Sequence, residues 1–265
     1  MKLKIRVSII VVILSVVLVF LLTPFYCYHD KKIHISIDDV WESFNDISRD
    51  SLMYNDVFEH PFFCKLKKAH ELTGAKFTLY VYENVEDYSI DDIPQKYITQ
   101  INCEKDWLRV GFHASNDTIN RDSIGVFPSF SESFTRVSEK LAGGAKTLRL
   151  QFYFATPDEV AFLGENGINT LLSADDDRIS YSLPANYNDS LIINESLQYK
   201  NMLYERTDIR VEKDGGPFVN LYKNRNDDKL VLFTHEWALH NRRTEYELWF
   251  YLIFFSIYNC DFIID

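Results

Sequence analysis

Basic residues are in short supply: 28 Lys and Arg stand against 39 Asp and Glu, for a formal net charge of -11. Such a surface repels a phosphate backbone unless a local basic stripe compensates, and no stripe interrupts the acidic background, so nucleic acid is excluded as a partner. Cysteine is equally sparse. The four, Cys27, Cys64, Cys103 and Cys260, show no paired short spacing, which excludes a zinc knuckle and a disulfide-framework domain and leaves buried thiols as the expectation. With 9 Gly and 7 Pro, no Pro/Gly linker, internal repeat or low-complexity tract divides the chain, so one domain is expected. A zinc-protease helix is also missing, because His235-Glu236 is followed by His240, one place too late for HExxH.

What is present is apolar and aromatic. Hydrophobic residues make up 46% and aromatic residues 15% of the chain, enough for a core and for aromatic-lined clefts. After MKLKIR, the stretch VSIIVVILSVVLVFLLTPFYCY carries no charge, and roughly 20 such residues cross a bilayer. Its bulky end lacks a small-residue cleavage site, which favours an uncleaved anchor. Residues 1–27 are therefore expected to be a short cytoplasmic N-terminus and transmembrane anchor, and 28–265 a single domain outside the cytoplasm. The run LWFYLIFFSIY near the C-terminus is too short for a second span and reads as a core-facing helix. Sequons at Asn116, Asn188 and Asn194 bear on the protein only if it is secreted from a eukaryotic cell.

Seven segments alternate or run apolar as strands do: 32–38, 75–83, 107–113, 147–154, 168–174, 229–235 and 261–265. Helical patterns separate several of them, as in HPFFCKLKKAHELTG and TPDEVAFLGENG, which end at Gly as a helix C-terminus should. Strands alternating with helices predict an α/β fold with a parallel sheet, open or closed as a barrel. Arg178 to Lys213 reads as an inserted set of short strands.

In parallel α/β folds functional groups gather on loops after the C-terminal ends of strands. Polar residues recur there: Asp38-Asp39 after the first strand, His113-Ala-Ser-Asn-Asp117 after the third, Arg149 on the fourth, Asp175-Asp176-Asp177 after the fifth, His235-Glu236-Trp237 after the sixth. Each has a structural alternative. Asp38-Asp39 can cap a helix, though one cap does not need two carboxylates; His113 can be a core histidine, and Arg149 an ion-pair partner.

The order of these pieces resembles the polysaccharide deacetylase family, metal-dependent esterases on an irregular (β/α)7-type barrel that remove acetyl groups from N-acetylated sugars. Ser36-Ile37-Asp38-Asp39-Val40 is similar to the T-F-D-D-G motif, His113-Ala-Ser-Asn-Asp117 to H-S/T-x-x-H, Arg149-Leu-Gln-Phe152 to R-x-P-Y, and Leu232-Phe-Thr-His235 to the last motif. The resemblance implies Asp38 as general base, held by Arg149, and His235 as general acid with Asp176 or a neighbour as its partner. It also implies a divalent ion on Asp39, His113 and Asp117, with an oxygen-rich ligand set that favours Mn²⁺ or Mg²⁺ over Zn²⁺. An acetylated surface polysaccharide is the implied substrate. Two rivals stand beside this reading. One is a membrane-tethered, noncatalytic glycan binder with an aromatic cleft of Trp41, Trp107, Tyr153 and Trp237. The other is a metal-free glycoside hydrolase using two of Asp38, Asp176 and Glu236.

Overall fold

The computed structural model describes residues 23–117, 127–141, 144–213 and 215–264. The expected anchor lies outside the described residues except for residues 23–27, which belong to 3-10 turns over Thr23–Tyr28. Among the described residues no helix is long and apolar enough to cross a membrane.

The strands are β1 (Lys32–Val40), β2 (Phe77–Tyr82), β3 (Asn84–Val85), β4 (Tyr88–Ser89), β5 (Leu108–Ala114), β6 (Thr147–Leu148), β7 (Thr170–Leu172), β8 (Ser196–Tyr199), β9 (Met202–Glu205), β10 (Ile209–Arg210), β11 (Lys229–His235) and β12 (Asp261–Ile263). A parallel sheet runs in the order β10-β11-β1-β2-β5, and β12 pairs the first residues of β1. A second sheet, β6-β7-β9-β8, is parallel except for its β8/β9 hairpin. The result is a mostly parallel α/β fold.

Pairing among the described residues falls into these two sheets and a β3/β4 hairpin, not a closed ring. The strand expected over 147–154 pairs only at Thr147–Leu148, because Phe152 and Tyr153 take left-handed backbone angles, φ 55° and 56°, that cannot continue a ladder. Between β5 and β6 a single bond, Ala145 N–H to Val110 O, replaces a ladder. The segment read as inserted short strands holds β8, β9 and β10 but also a helix, Ala185–Asn194.

In β1, Ile33, Ile35 and Ile37 are fully buried, and so are the residues that alternate with them, His34, Ser36 and Asp38. A strand covered on both faces is what a central parallel strand requires. Helices Pro61–Thr73 and Arg242–Ile257 pack against each other outside the sheet. The helix containing LWFYLIFFSIY buries Leu248, Tyr251, Leu252, Phe254 and Phe255, as a core-facing helix should. Cys27, Cys64 and Cys103 are exposed, contrary to expectation. Cys64 lies on a surface helix and Cys103 ends one, so neither side chain reaches the core.

Gly111 permits the junction of the two sheets. A Cβ there would lie 2.8 Å from Leu148 Cδ2 and 3.1 Å from the Tyr80 ring, and Tyr80 Oη donates across the same junction to Thr147 O at 2.9 Å. Gly111→Ala is therefore expected to cost about 1–3 kcal/mol by overpacking, measured as a shift in the urea unfolding midpoint with an unchanged m-value. An unshifted midpoint would show that the junction has slack.

Candidate active site

Strand register decides which side chains meet. Asp38 and His235 are Cα partners on the adjacent strands β1 and β11, so their side chains emerge together at the C-terminal end of the sheet. A regular strand would send Asp39 to the opposite face. Instead the β1/β2 register shifts between Ile37 and Val40, and Asp39 adopts φ 57°, a bulge that turns its carboxylate into the same cavity. A second shift, between Val81 and Tyr82, accompanies the exit of β2 and β5.

Asp38 is buried on Arg149. The guanidinium Nη1 donates to Asp38 Oδ2 at 3.2 Å and to Ser36 Oγ at 2.9 Å, and Nη2 donates to Thr207 Oγ1 at 3.0 Å. Its plane lies 4.0 Å from the Phe233 ring centroid. Burial alone would make Arg149 easier to deprotonate, but the charge of Asp38 outweighs it and holds the guanidinium ionised.

Asp39 is the acceptor at the centre of a ring of donors. Tyr82 Oη donates to Oδ1 at 2.5 Å and Trp237 Nε1 to Oδ2 at 3.0 Å. His113 Nε2 stands 3.1 Å from Oδ1 and His235 Nε2 3.8 Å from Oδ2. Burial would raise the Asp39 pKa, yet the hydrogen bond from His113 and its charge hold the carboxyl well below the usual range. Burial would lower the His113 pKa; its bond to Asp39 reverses this and raises it. The other ring nitrogen, Nδ1, donates to Arg149 O at 2.5 Å, which fixes the ring's orientation.

The partner of His235 is Glu212, not Asp176. His235 Nδ1 donates to Glu212 Oε1 at 2.5 Å, Thr234 Oγ1 donates to Oε2 at 2.9 Å, and Arg210 Nε donates to Oε1 at 2.6 Å. Burial pushes the Glu212 pKa up, but His235 and Arg210 pull it down further. Asp176 instead grips Arg178 through both carboxylate oxygens, at 2.8 and 2.6 Å, and Asp175 pairs with Lys213. The Asp run thus belongs to the loop beside the cavity. Glu212 lay in a region read as an insertion and carries no motif of its own. Only its place two residues beyond β10, next to the strand that ends at His235, could have singled it out.

The cavity, about 440 Å³, is lined by Asp38, Asp39, His113, Asp117, Arg149 and His235. Trp41, Tyr82, Leu150, Gln151, Phe152, Tyr153, Arg178, Arg210 and Trp237 complete its wall. Trp107 is not among them: it is buried against His70, their rings stacked at 4.8 Å. The Tyr153 N–H donates to Leu150 O at 2.9 Å.

Measured against a three-ligand metal site, this donor set falls one short. Asp39 and His113 converge, and the carbonyl on Nδ1 orients His113 as metal-bound imidazoles are oriented. Yet among the described residues no three His, Cys, Asp or Glu side chains gather closely enough to hold an ion. Asp117 lines the same cavity and its charge acts on Tyr82, while Tyr82 and Trp237 each donate to one oxygen of Asp39. The residues described do not fit the expected triad.

Glu236 organises the site from behind. Its buried carboxylate accepts from the N–H groups of Trp41, Glu42 and Ser43 at 2.8, 2.9 and 3.0 Å, and its own N–H donates to Asp38 O at 2.9 Å. The helix Glu42–Arg49 has no side-chain cap from its own N-terminus, so Glu236 supplies from β11 the acceptor that such a helix end requires. Asp38 and Asp39 do not cap it.

No protein-family model matches this chain, and no curated protein matches it. Solved structures do share its fold. A candidate polysaccharide deacetylase from Mycobacterium smegmatis superposes with a TM-score of 0.52 at 10% identity, over 87% of this chain and 86% of that one. The 4-alpha-glucanotransferase from Thermococcus litoralis gives 0.50 at 12% identity, over 88% of this chain and 37% of that one. A candidate polysaccharide deacetylase involved in O-antigen biosynthesis, from Bordetella bronchiseptica, covers 87% of this chain and 85% of its own at 12% identity, with a TM-score of 0.44. At these identities the likeness is one of fold.

Glu236→Ala leaves three backbone donors without their acceptor, so a loss of about 3 kcal/mol or more is expected. Chemical denaturation measures it, and a loss under about 0.5 kcal/mol, the range of an ordinary surface substitution, would show that water replaces the carboxylate.

Proposed function

We propose that this chain is a carbohydrate deacetylase. The observation that carries the reading is the pair of dyads placed side by side by β1 and β11: Asp38 on Arg149, and His235 on Glu212. The first suits a general base, because Arg149 pairs with the carboxylate and fixes its orientation. The second suits a general acid, because Glu212 holds the Nδ1 proton and aims Nε2 into the cavity. In the proposed reaction Asp38 takes a proton from water as its oxygen attacks the acetyl carbon. His235 then protonates the departing sugar nitrogen as the C–N bond breaks, leaving acetate and an amine. Positive charge from Arg149 and His113 favours the oxyanion between these steps. Trp41, Tyr153 and Trp237 offer aromatic faces to a sugar ring. The neighbours in fold support a carbohydrate substrate without fixing which one. No step is assigned to a metal ion. The uncharged N-terminal run extends the proposal to an anchored protein whose domain acts outside the cytoplasm.

Two features speak against glycoside hydrolysis: Glu236 is consumed by three backbone bonds, and Asp176 by Arg178. The noncatalytic glycan binder is favoured by one, the hydrogen bonds that Tyr82 and Trp237 make to the two oxygens of Asp39.

Acetate release from a panel of acetylated saccharides tests the proposal on the full chain. Asp38→Asn is expected to lower the rate about 10²–10⁴-fold, with circular dichroism confirming the fold. Equal release by both proteins, or saccharide binding without any release, would overturn it. The same assay after chelation, with Mn²⁺ or Zn²⁺ restored, is expected to show a rate that does not depend on the ion. A rate abolished by chelation and regained with metal would mean that Asp117 joins Asp39 and His113 during turnover.

A further inference from the structure

The helix Arg242–Ile257 is apolar on both sides. One side is core; along the other, Tyr246, Phe250, Ile253 and Ile257 follow one another at helical spacing, with Tyr246, Ile253 and Ile257 exposed by 68%, 48% and 74%. The helix Gly216–Lys223 widens this stripe: Phe218, Val219 and Tyr222 are also exposed, and the Phe218 ring lies 5.0 Å from that of Phe250. Scattered apolar residues on a surface are ordinary, but a contiguous face of this kind marks an interaction surface.

The covering of this face is argued from where the chain arrives. Thr23–Tyr28 packs on the helix Gly216–Lys223, with Tyr28 Oη donating to Leu221 O at 2.7 Å and the Tyr28 ring 5.1 Å from Phe254. Immediately before it in sequence, residues 7–22 contain no charged side chain. The exposed face therefore adjoins the point at which a charge-free run joins the domain. Its rim has the chemistry of a lipid headgroup boundary, with Tyr26, Tyr222 and Tyr246 exposed and the Arg225 guanidinium 4.0 Å over the Tyr222 ring. Lys223 is exposed beside it. In a chain of net charge -11 these cations stand beside the apolar face.

We propose that this face rests on a lipid bilayer, with Phe218, Ile253 and Ile257 entering the headgroup–acyl boundary and Arg225 and Lys223 reaching its phosphates. The inference is independent of the deacetylase reading.

The test uses the full chain reconstituted in vesicles of phosphatidylcholine and phosphatidylglycerol, with photoreactive p-benzoylphenylalanine placed singly at the positions of Phe218, Ile253 and Ile257. A fourth probe replaces Leu52, which is 98% exposed in the turn whose Ser51 carbonyl accepts from Lys96. Mass spectrometry after irradiation is expected to find lipid adducts at the three positions at least fivefold above Leu52. Adducts to a second copy of the chain at those positions, or lipid adducts no more frequent than at Leu52, would overturn the proposal. Each position is solvent-exposed, so a folding defect at one leaves the other two to decide.

Discussion

The interior of this fold is organised by one buried cation. Arg149 reaches β1 through Ser36 and Asp38, the segment before β10 through Thr207, and β11 through the face of Phe233. Its carbonyl accepts a hydrogen bond from His113 Nδ1 on β5. A buried ion pair repays its desolvation only when further hydrogen bonds support it; here Ser36 and Thr207 engage Nη1 and Nη2, while the buried Nε has no hydrogen-bond partner among the described residues. The two sheets that fail to close as a hydrogen-bonded ring are thus joined through a side chain. Because the same guanidinium pairs with and aims Asp38, the constraint that holds the sheets together also positions the proposed base.

Placing two adjacent carboxylates in one cavity is a problem for a strand, whose side chains alternate. The bulge at Asp39 solves it at the cost of a left-handed backbone, a conformation that a non-glycine residue keeps only when its surroundings over-determine it. Four groups do so from the side-chain end, and Glu236 does so from the backbone that follows. Its three bonds tie residues 41–43 to β11 directly behind His235, so the base-bearing and acid-bearing strand ends move as one body.

Much of this was legible in the sequence. The alternation of KIHISID and KLVLFTH located the two central strands, and the recurrence of polar residues at strand ends placed Asp38, Asp39, His113, Arg149 and His235 in one cavity. What escaped was decided by three-dimensional neighbourhood. Glu212 and Asp176 are equally acidic and equally distant from any motif. Only the pairing of β10 with β11 sets Glu212 beside His235, while local geometry turns Asp176 onto its own neighbour Arg178. Trp107 looked like a cleft aromatic because it opens a strand, but its position at the N-terminal end of β5 puts it beneath the sheet with His70. Glu236 read as a failed protease motif, since nothing in a sequence shows a helix capped from a strand far along the chain.

The choice between enzyme and binder turns on which groups remain unspent. A binding cleft needs aromatic faces and scattered donors, and this cavity has them. It has no use for a carboxylate paired with a guanidinium at 1% exposure or for an imidazole whose Nδ1 is fixed by a half-buried Glu while Nε2 faces the cavity. Those arrangements cost desolvation and gain nothing in affinity for a neutral sugar, whereas proton transfer at a reacting carbonyl requires both. Asp39 is the residue pulled in two directions: its donors Tyr82 and Trp237 hold it as a structural anion, and its contact with His113 presents half of a metal site. On the proposed reading it is Asp38 and His235, not Asp39, that exchange protons, one with water and the other with the departing nitrogen.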